Sequence, residues 1–200
     1  LPPSQDDLIY LESYKSTMEL KNGRSMEVRP LFPSDEFAYR NFFYSLQEKT
    51  IYFRFFYKMK IFSHDVVQKQ WASVDYKRNM SLIGLIQKRG HKEIVAIGSY
   101  AEESENRAEV AFVVREDFHG QGVASYFLEA LEIIAKENNY IGFSATVLNE
   151  NRAMLRVFRK RYPNAKIVSN SGSDVTIHMD FSDAISREAY QQLEKENVCR

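Results

Sequence analysis

The sequence has little cysteine, no long apolar run and no net charge. Its single cysteine, Cys199, cannot form an internal disulfide, which suits a reducing compartment, and we expect a cytoplasmic protein. The apolar runs fall far below the roughly 18 residues that a membrane helix needs, so we expect no membrane association. The 27 basic and 27 acidic residues cancel, which gives no reason to expect nucleic-acid binding. The histidines are scattered without ligand spacing, and we predict no metal site: His64, His91, His119 and His178.

The chain is long and apolar enough for one folded domain. With 200 residues, 44% of them hydrophobic, it can bury a substantial core. Residues 1–24 are predicted to form an N-terminal arm or linker, although Ser16–Leu20 could be a short strand before the turn signal Asn22-Gly23. Residues 25–182 are predicted to form the domain, and residues 183–200 a C-terminal helix.

The order of predicted elements indicates a mixed α/β fold. A strand, "SMEVRPL", precedes a helix that begins near Ser34, and a second helix is predicted after Ser63. Three β-rich runs follow, "MSLIGLIQK", "EIVAIGSYAE" and "RAEVAFVV", and the turn signals between them indicate an antiparallel meander. The remainder is predicted as helix, strand, helix and strand, with Ser182 capping the last helix.

The segment "REDFHGQGVAS", Arg115 to Ser125, joins a predicted buried strand to a predicted amphipathic helix. It contains Gly120 and Gly122, two of only eight glycines in the chain. A helix N-terminus attracts phosphate because its N–H groups are unpaired, and glycine lets a ligand approach the backbone. An isolated G-x-G is more often a tight turn only. The segment therefore predicts either a turn or a phosphate site.

Two common phosphate loops do not fit this segment. A Walker A loop needs a lysine after its last glycine, and none follows Gly122. The dinucleotide fingerprint needs glycine at the position of Ser125, and a parallel β-α-β series rather than a meander. Neither nucleotide-binding class is predicted.

The same residues resemble a different motif. His119-Gly120-Gln121-Gly122-Val123-Ala124 is similar to the Q/R-x-x-G-x-G/A motif of the GNAT superfamily of acyl-CoA-dependent N-acyltransferases, with His replacing the usual Gln or Arg. "VLNENRAMLRVFRKRY" resembles a later segment of that family, and the resemblance covers roughly residues 27–181. Within the superfamily, "LKNGRSMEVRPLFPSDE" and "YFRFF" resemble bacterial protein-lysine acetyltransferases that modify acyl-CoA synthetases.

The resemblance implies a GNAT fold: a twisted, mainly antiparallel sheet, splayed at its centre near "AEVAFVV", with helices on both faces. It implies acetyl-CoA as co-substrate, and a protein lysine or a small amine as acceptor. It also implies that the chain could be the C-terminal domain of a larger CoA-handling protein. The implied contacts to the pyrophosphate come from the amides of Gln121, Gly122, Val123, Ala124 and Ser125.

Further cofactor contacts follow from the same resemblance. The main chain of Val113, Val114 and Arg115 would pair with the pantetheine arm like an added strand. Asn151 matches an Asn that contacts the cofactor in the family, although it could equally be a helix N-cap.

Glu109 is the one charge inside "AEVAFVV", which by alternation alone could simply face outward. The resemblance implies that it is the general base, taking a proton from an amine whose pKa is about 10.4. The family's usual general acid, a tyrosine, is replaced by Phe158, and Tyr126 and Tyr162 are the candidate substitutes.

Three alternatives stay open. The chain could be an acyl-CoA-sensing regulatory domain of a larger enzyme with little turnover. The basic helix "RVFRKRY" either contacts the 3′-phosphate of the cofactor or forms a solvated face. The aromatic segment "YFRFFY" is predicted to pack in the core or line an acceptor groove rather than stack on bases.

Overall fold

The computed structural model describes residues 4–55 and 75–198, so the helix predicted after Ser63 lies outside the described residues. The elements in chain order are α1 Gln5–Glu12, β1 Ser16–Glu19, β2 Ser25–Pro30, α2 Glu36–Tyr44, α3 Glu48–Phe55, β3 Met80–Lys88, β4 His91–Ser104, β5 Arg107–Val114, α4 Val123–Glu137, β6 Gly142–Leu148, α5 Arg152–Arg161, β7 Lys166–Asn170, β8 Asp174–Asp180 and α6 Arg187–Val198.

In the described residues the strands form one eight-stranded sheet, in the order β1-β2-β3-β4-β5-β6-β8-β7. The predicted meander is β3-β4-β5, and its first turn is tight because Arg89 and Gly90 both adopt positive φ. Every neighbouring pair is antiparallel except β5 with β6. That parallel pairing covers only residues 107–109 with 142–144, so the two strands separate beyond Glu109. The predicted fold class, a mainly antiparallel sheet in a mixed α/β fold, is confirmed.

Helices cover both faces of the sheet, and each face has its own core. On one face, Tyr39, Phe42 and Phe43 of α2 are buried against the sheet. On the other face, α4 and α5 pack through residues that include Phe127 and Phe158. The predicted amphipathic helix is α4, and a period of 3.6 residues aligns its apolar residues toward the sheet, where they are buried: Val123, Phe127, Leu128, Leu131, Ile134 and Ala135.

The N-terminal residues belong to the same fold. Strand β1 pairs with β2 from Ser16↔Val28 to Glu19↔Ser25, so the predicted boundary after residue 24 falls inside a hairpin. Helix α1 begins with a capping box at Ser4, and its Leu11 is fully buried in the core. Hairpin and helix are therefore packed into the domain.

Two helices begin later than predicted, the first by one residue and the last by four. Helix α2 begins at Glu36 rather than after Ser34, because Pro33–Asp35 form a 3₁₀ turn and the Asp35 carboxylate is bound by Arg29. Helix α6 begins after Ser186, whose Oγ accepts from the N–H of Ala189. Within residues 4–55 and 75–198, no helix has the length and hydropathy to cross a bilayer, and no cluster of three or more His, Cys, Asp or Glu could hold a metal ion.

Candidate active site

One cleft of about 610 Å³ lies along the open side of β5, between α3, the start of α4, and α5. It collects most of the predicted site residues, which are far apart in sequence. Arg115 and Gln121 are the two predicted residues that do not line it. Those that do are Glu109, Val113, Val114, Gly122, Val123, Ala124, Ser125 and Asn151.

The separation of β5 from β6 leaves one edge of β5 facing the cleft. The N–H of Arg115 donates to the carbonyl oxygen of Val95 on the β4 side, at 2.9 Å. Because main-chain groups alternate along a strand, Val113 also faces β4, whereas Phe112 and Val114 face the cleft. The strand edge that a ligand could meet is therefore offered by Phe112 and Val114.

The end of β5 is closed by His119, which occupies the motif position where the family has Gln or Arg. Its Nε2 lies 2.7 Å from the carbonyl oxygen of Val114. A carbonyl oxygen can only accept, so Nε2 is the protonated nitrogen. His119 thus holds the glycine loop against the strand end.

The glycine loop opens onto a helix start with no capping side chain. Gly120 and Gly122 have φ of +72° and +83°, and a Cβ at either would meet nothing within 4 Å. The first helical hydrogen bond runs from Tyr126 N–H to the Gly122 carbonyl, which leaves the amides of residues 123–125 unpaired within the helix. With no acidic residue in its first turn, this N-terminus can bind an anion.

Lys21 is a cleft residue that the sequence did not reveal. It lies in the β1–β2 turn and lines the cleft beside Gly120 and Gly122. The turn is fastened to the loop because the N–H of Asn22 donates to Oε1 of Gln121. The sequence contains the turn signal Asn22-Gly23, but no local pattern places that turn against a loop about 100 residues away.

Glu109 lies in the last position at which β5 still pairs with β6. Its side chain is exposed and lines the cleft together with Thr50, Phe53 and Arg54 of α3. Within the described ranges its carboxylate has no hydrogen-bond partner. The predicted aromatic segment thus supplies part of the cleft wall, although its residues 56 and 57 lie outside the described residues.

Asn151 caps α5, since its Oδ1 accepts from the N–H of Met154 at 3.3 Å. The same residue lines the cleft, so the cap leaves its Nδ2 available to a ligand. Arg156 and Lys160 on the predicted basic helix also line the cleft. They bring positive charge to the side of the cleft opposite α4.

Among the described residues, no tyrosine lines the cleft in place of the usual general acid. Phe158 is buried, and its ring centroid lies 5.9 Å from that of Phe112. The hydroxyl of Tyr126 donates to Ser16, and that of Tyr162 donates to the buried Glu132. Burial, together with Glu132, raises the pKa of Tyr162. Neither tyrosine lines the cleft.

Comparisons with known sequences identify the family. Residues 44–162 match the model of the acetyltransferase (GNAT) family. An acetyltransferase of Pseudomonas aeruginosa is 29% identical over 136 residues, which are 68% of this chain and 73% of that protein. The acetyltransferase Pat of Mycolicibacterium smegmatis is 28% identical over 145 residues, 70% of this chain but only 41% of Pat. The matched region is therefore less than half the length of Pat.

Solved structures share the fold. The GNAT domain of S. lividans PAT gives a TM-score of 0.73 at 25% identity, covering 84% of this chain and 97% of that domain. The structure of yncA from Salmonella typhimurium, solved with its cofactor acetyl-CoA, gives a TM-score of 0.61 at 12% identity, covering 80% and 96% of the two chains. At that lower identity the likeness concerns the fold alone.

Proposed function

Because this chain belongs to the acetyltransferase (GNAT) family and acts with acetyl-CoA, we propose that it transfers an acetyl or short acyl group to the ε-amine of a protein lysine, by direct attack in a ternary complex. One observation carries the proposal. The cleft has an open helix N-terminus at one end, an unpaired strand edge along its length, and an exposed carboxylate where the strands part.

The helix end would hold the pyrophosphate of the cofactor. The amides of Val123, Ala124 and Ser125 supply donors and the positive end of the helix dipole. Gln121 and Gly122 precede them in the loop, and the open space above Gly122 admits a phosphate without a side-chain clash. Lys21 adds a positive charge to the same end of the cleft.

The strand edge would hold the pantetheine arm. Phe112 directs its N–H and carbonyl, and Val114 its N–H, into the gap left by β6, so an extended amide-containing chain can add there as a strand would. The Val114 carbonyl is bound by His119. The five residue-to-residue steps from Glu109 to Val114 span about 17 Å at ~3.3 Å per step. A cofactor anchored at the glycine loop would therefore point its thioester toward Glu109, with Asn151 on the opposite wall.

Glu109 would act as the general base. A lysine amine with a pKa of about 10.4 is mostly protonated at neutral pH and must lose its proton before it attacks the thioester. The exposed carboxylate, with no partner in the described part of the chain, can accept that proton directly or through water. The thiol of CoA resembles that of free cysteine, whose pKa is about 8.5, so the departing thiolate is a far better leaving group than an alkoxide.

Two features favour a protein lysine as the acceptor. The N-terminal segments resemble protein-lysine acetyltransferases that modify acyl-CoA synthetases. In addition, Glu109 lies exposed at the cleft wall beside α3, where the four-carbon arm of a lysine could reach it from a large partner.

A second candidate is an acyl-CoA-sensing domain with little turnover, attached to a larger CoA-using enzyme. The observation that favours it is the absence of a tyrosine hydroxyl among the described residues that line the cleft, with Phe158 at the usual acid position. Such a domain would bind acyl-CoA through the same contacts, and binding would change the state of the larger enzyme to which the domain is attached.

A combined binding and turnover experiment separates the candidates. Acetyl-CoA affinity is measured by calorimetry, and thiol release is followed with folded proteins, lysine peptides and small amines, with mass spectrometry of the products. Acetyl groups on protein lysines support the proposal. Turnover with small amines only would reassign the acceptor, and tight binding without release across the panel would favour the sensor.

A further inference from the structure

A buried hydroxyl without a partner lies next to Glu109. Ser144 is the residue of β6 that pairs with Glu109, at the last rung before the two strands part. Its side chain is 1% exposed, and its Oγ has no hydrogen-bond partner within residues 4–55 and 75–198. Burying an unpaired hydroxyl is unfavourable, so native proteins usually satisfy such groups. The exception needs an explanation.

At the cross-strand positions (rungs) on either side of Ser144, on the same sheet face, the polar side chains are hydrogen-bonded. On one side, Nη2 of Arg107 donates to Oδ1 of Asp180 at 2.6 Å. On the other side, the hydroxyls of Thr146 and Thr176 lie 2.9 Å apart. Only the middle rung of this sheet face leaves its hydroxyl without a bond, in the part of the chain that the structure describes. The unpaired hydroxyl therefore occurs at one position, between Glu109 on β5 and His178 on β8.

Paired residues on neighbouring strands point to the same face, so Ser144 and Glu109 are side by side. The hydroxyl can donate, and the carboxylate can only accept. Glu109 is exposed and without a partner in the described structure, which leaves both groups available for each other. Directly paired residues lie roughly 5 Å apart at their Cβ atoms, a distance that a glutamate side chain spans.

We propose that Ser144 is a positioning residue for Glu109. The inference rests on the proposed function. The Oγ–H of Ser144 donates to the Glu109 carboxylate when Glu109 turns inward to accept the proton of the attacking amine. The bond restricts the carboxylate to one orientation at the fork of β5 and β6, where the thioester would end. Fixing a reacting group in this way lowers the entropic part of the barrier.

Ser144→Ala tests the inference, with Ser99→Ala as the matched control. Ser99 lies on the same sheet face, but its Oγ already bonds that of Ser81 at 2.8 Å. We expect Ser144→Ala to keep or raise the thermal midpoint, lower kcat by about tenfold, as for loss of a bond to a charged group, and leave KM for acetyl-CoA unchanged. Ser99→Ala should do the reverse, with a lower midpoint and an unchanged kcat.

A double-mutant cycle with Glu109→Gln separates positioning from a structural effect. If Ser144 acts through Glu109, adding Ser144→Ala to Glu109→Gln lowers kcat no further. Suppose that the parent enzyme acetylates lysine. If Ser144→Ala then leaves kcat unchanged, or lowers it equally with and without Glu109→Gln, this inference alone is overturned. A parent that transfers acetyl groups to no amine overturns the proposed function.

Discussion

The N–H of Asn22 donates to Oε1 of Gln121 at 3.1 Å, which joins the β1–β2 turn to the glycine loop. The hydrogen bond sets Lys21, the residue before Asn22, beside Gly120 and Gly122 at the edge of the cleft. The hairpin that the sequence assigns to an arm thus forms part of the candidate cofactor site.

Lys21→Gln should weaken cofactor binding through the phosphates. Removing one exposed positive charge, worth at most about 1 kcal/mol, raises KM for acetyl-CoA by roughly threefold to fivefold. Acetyl-pantetheine lacks the pyrophosphate, so its KM should not change. Steady-state kinetics with both donors measure the difference, and Lys15→Gln is the control because Lys15 pairs with Glu12 instead. Equal shifts for both donors would show that Lys21 acts elsewhere.

Gly122→Ala tests the phosphate site itself. At φ of +83° an alanine is strained, which lowers the free energy of unfolding by about 1–2 kcal/mol. Gly90→Ala is the matched control, because Gly90 has φ of +87° and equally open surroundings in the distant β3–β4 turn.

Urea unfolding should show similar losses for the two glycine variants. Only Gly122→Ala should also raise KM for acetyl-CoA, because the added methyl group occupies space where a phosphate would bind. If both variants keep the parent KM at a temperature where they are folded, the glycine loop is not the phosphate site.

Elements set by local pattern could be predicted from the sequence. The apolar face of α4 follows from spacing of 3.6 residues, and the β3–β4 turn follows from Gly90. The fold brings Glu109, Gly122 and Asn151 to one cleft, as the family resemblance implies. Their roles in binding and catalysis stay predictions.

Features set by non-local pairing could not be predicted. Lys21 reaches the cleft only because of a hydrogen bond across 99 sequence positions. The orphan hydroxyl of Ser144 depends on the register of three strands. The start of α2 is displaced because the Asp35 carboxylate binds Arg29 of β2, a contact that a capping pattern does not show.

Glu132 is a further case, a charge on the apolar face of α4. It is 1% exposed, and its carboxylate accepts from Arg161 and from the hydroxyl of Tyr162. Glu132→Ala removes the acceptor of the buried Tyr162 hydroxyl and one of the acceptors of Arg161, so we expect a loss of about 1–3 kcal/mol in the free energy of unfolding. Urea denaturation measures it.

Glu129→Ala is the control for this network. Glu129 bonds the same Arg161 but is more exposed, so its loss should cost less than about 1 kcal/mol. Equal losses in the free energy of unfolding for the two variants would contradict the claim that burial makes the Glu132 contacts the more stabilising.

Glu109→Gln tests the chemistry. The amide keeps the size of the side chain but cannot accept a proton from an ammonium group, so kcat should fall by about 10²–10⁴-fold at neutral pH. Calorimetric affinity for acetyl-CoA should stay the same, because Glu109 lies beyond the contacts assigned to the cofactor. Glu103→Gln, a change at an exposed β4 glutamate, should have no effect on either quantity.

The pH dependence of the Glu109→Gln variant distinguishes a base from a binding residue. If the carboxylate serves to deprotonate the amine, solvent does so increasingly as the pH rises toward the amine pKa of about 10.4. The rate deficit of Glu109→Gln should therefore shrink steadily between pH 7 and pH 10. A deficit that stays constant across this range would mean that Glu109 orients the acceptor and that another group takes the proton.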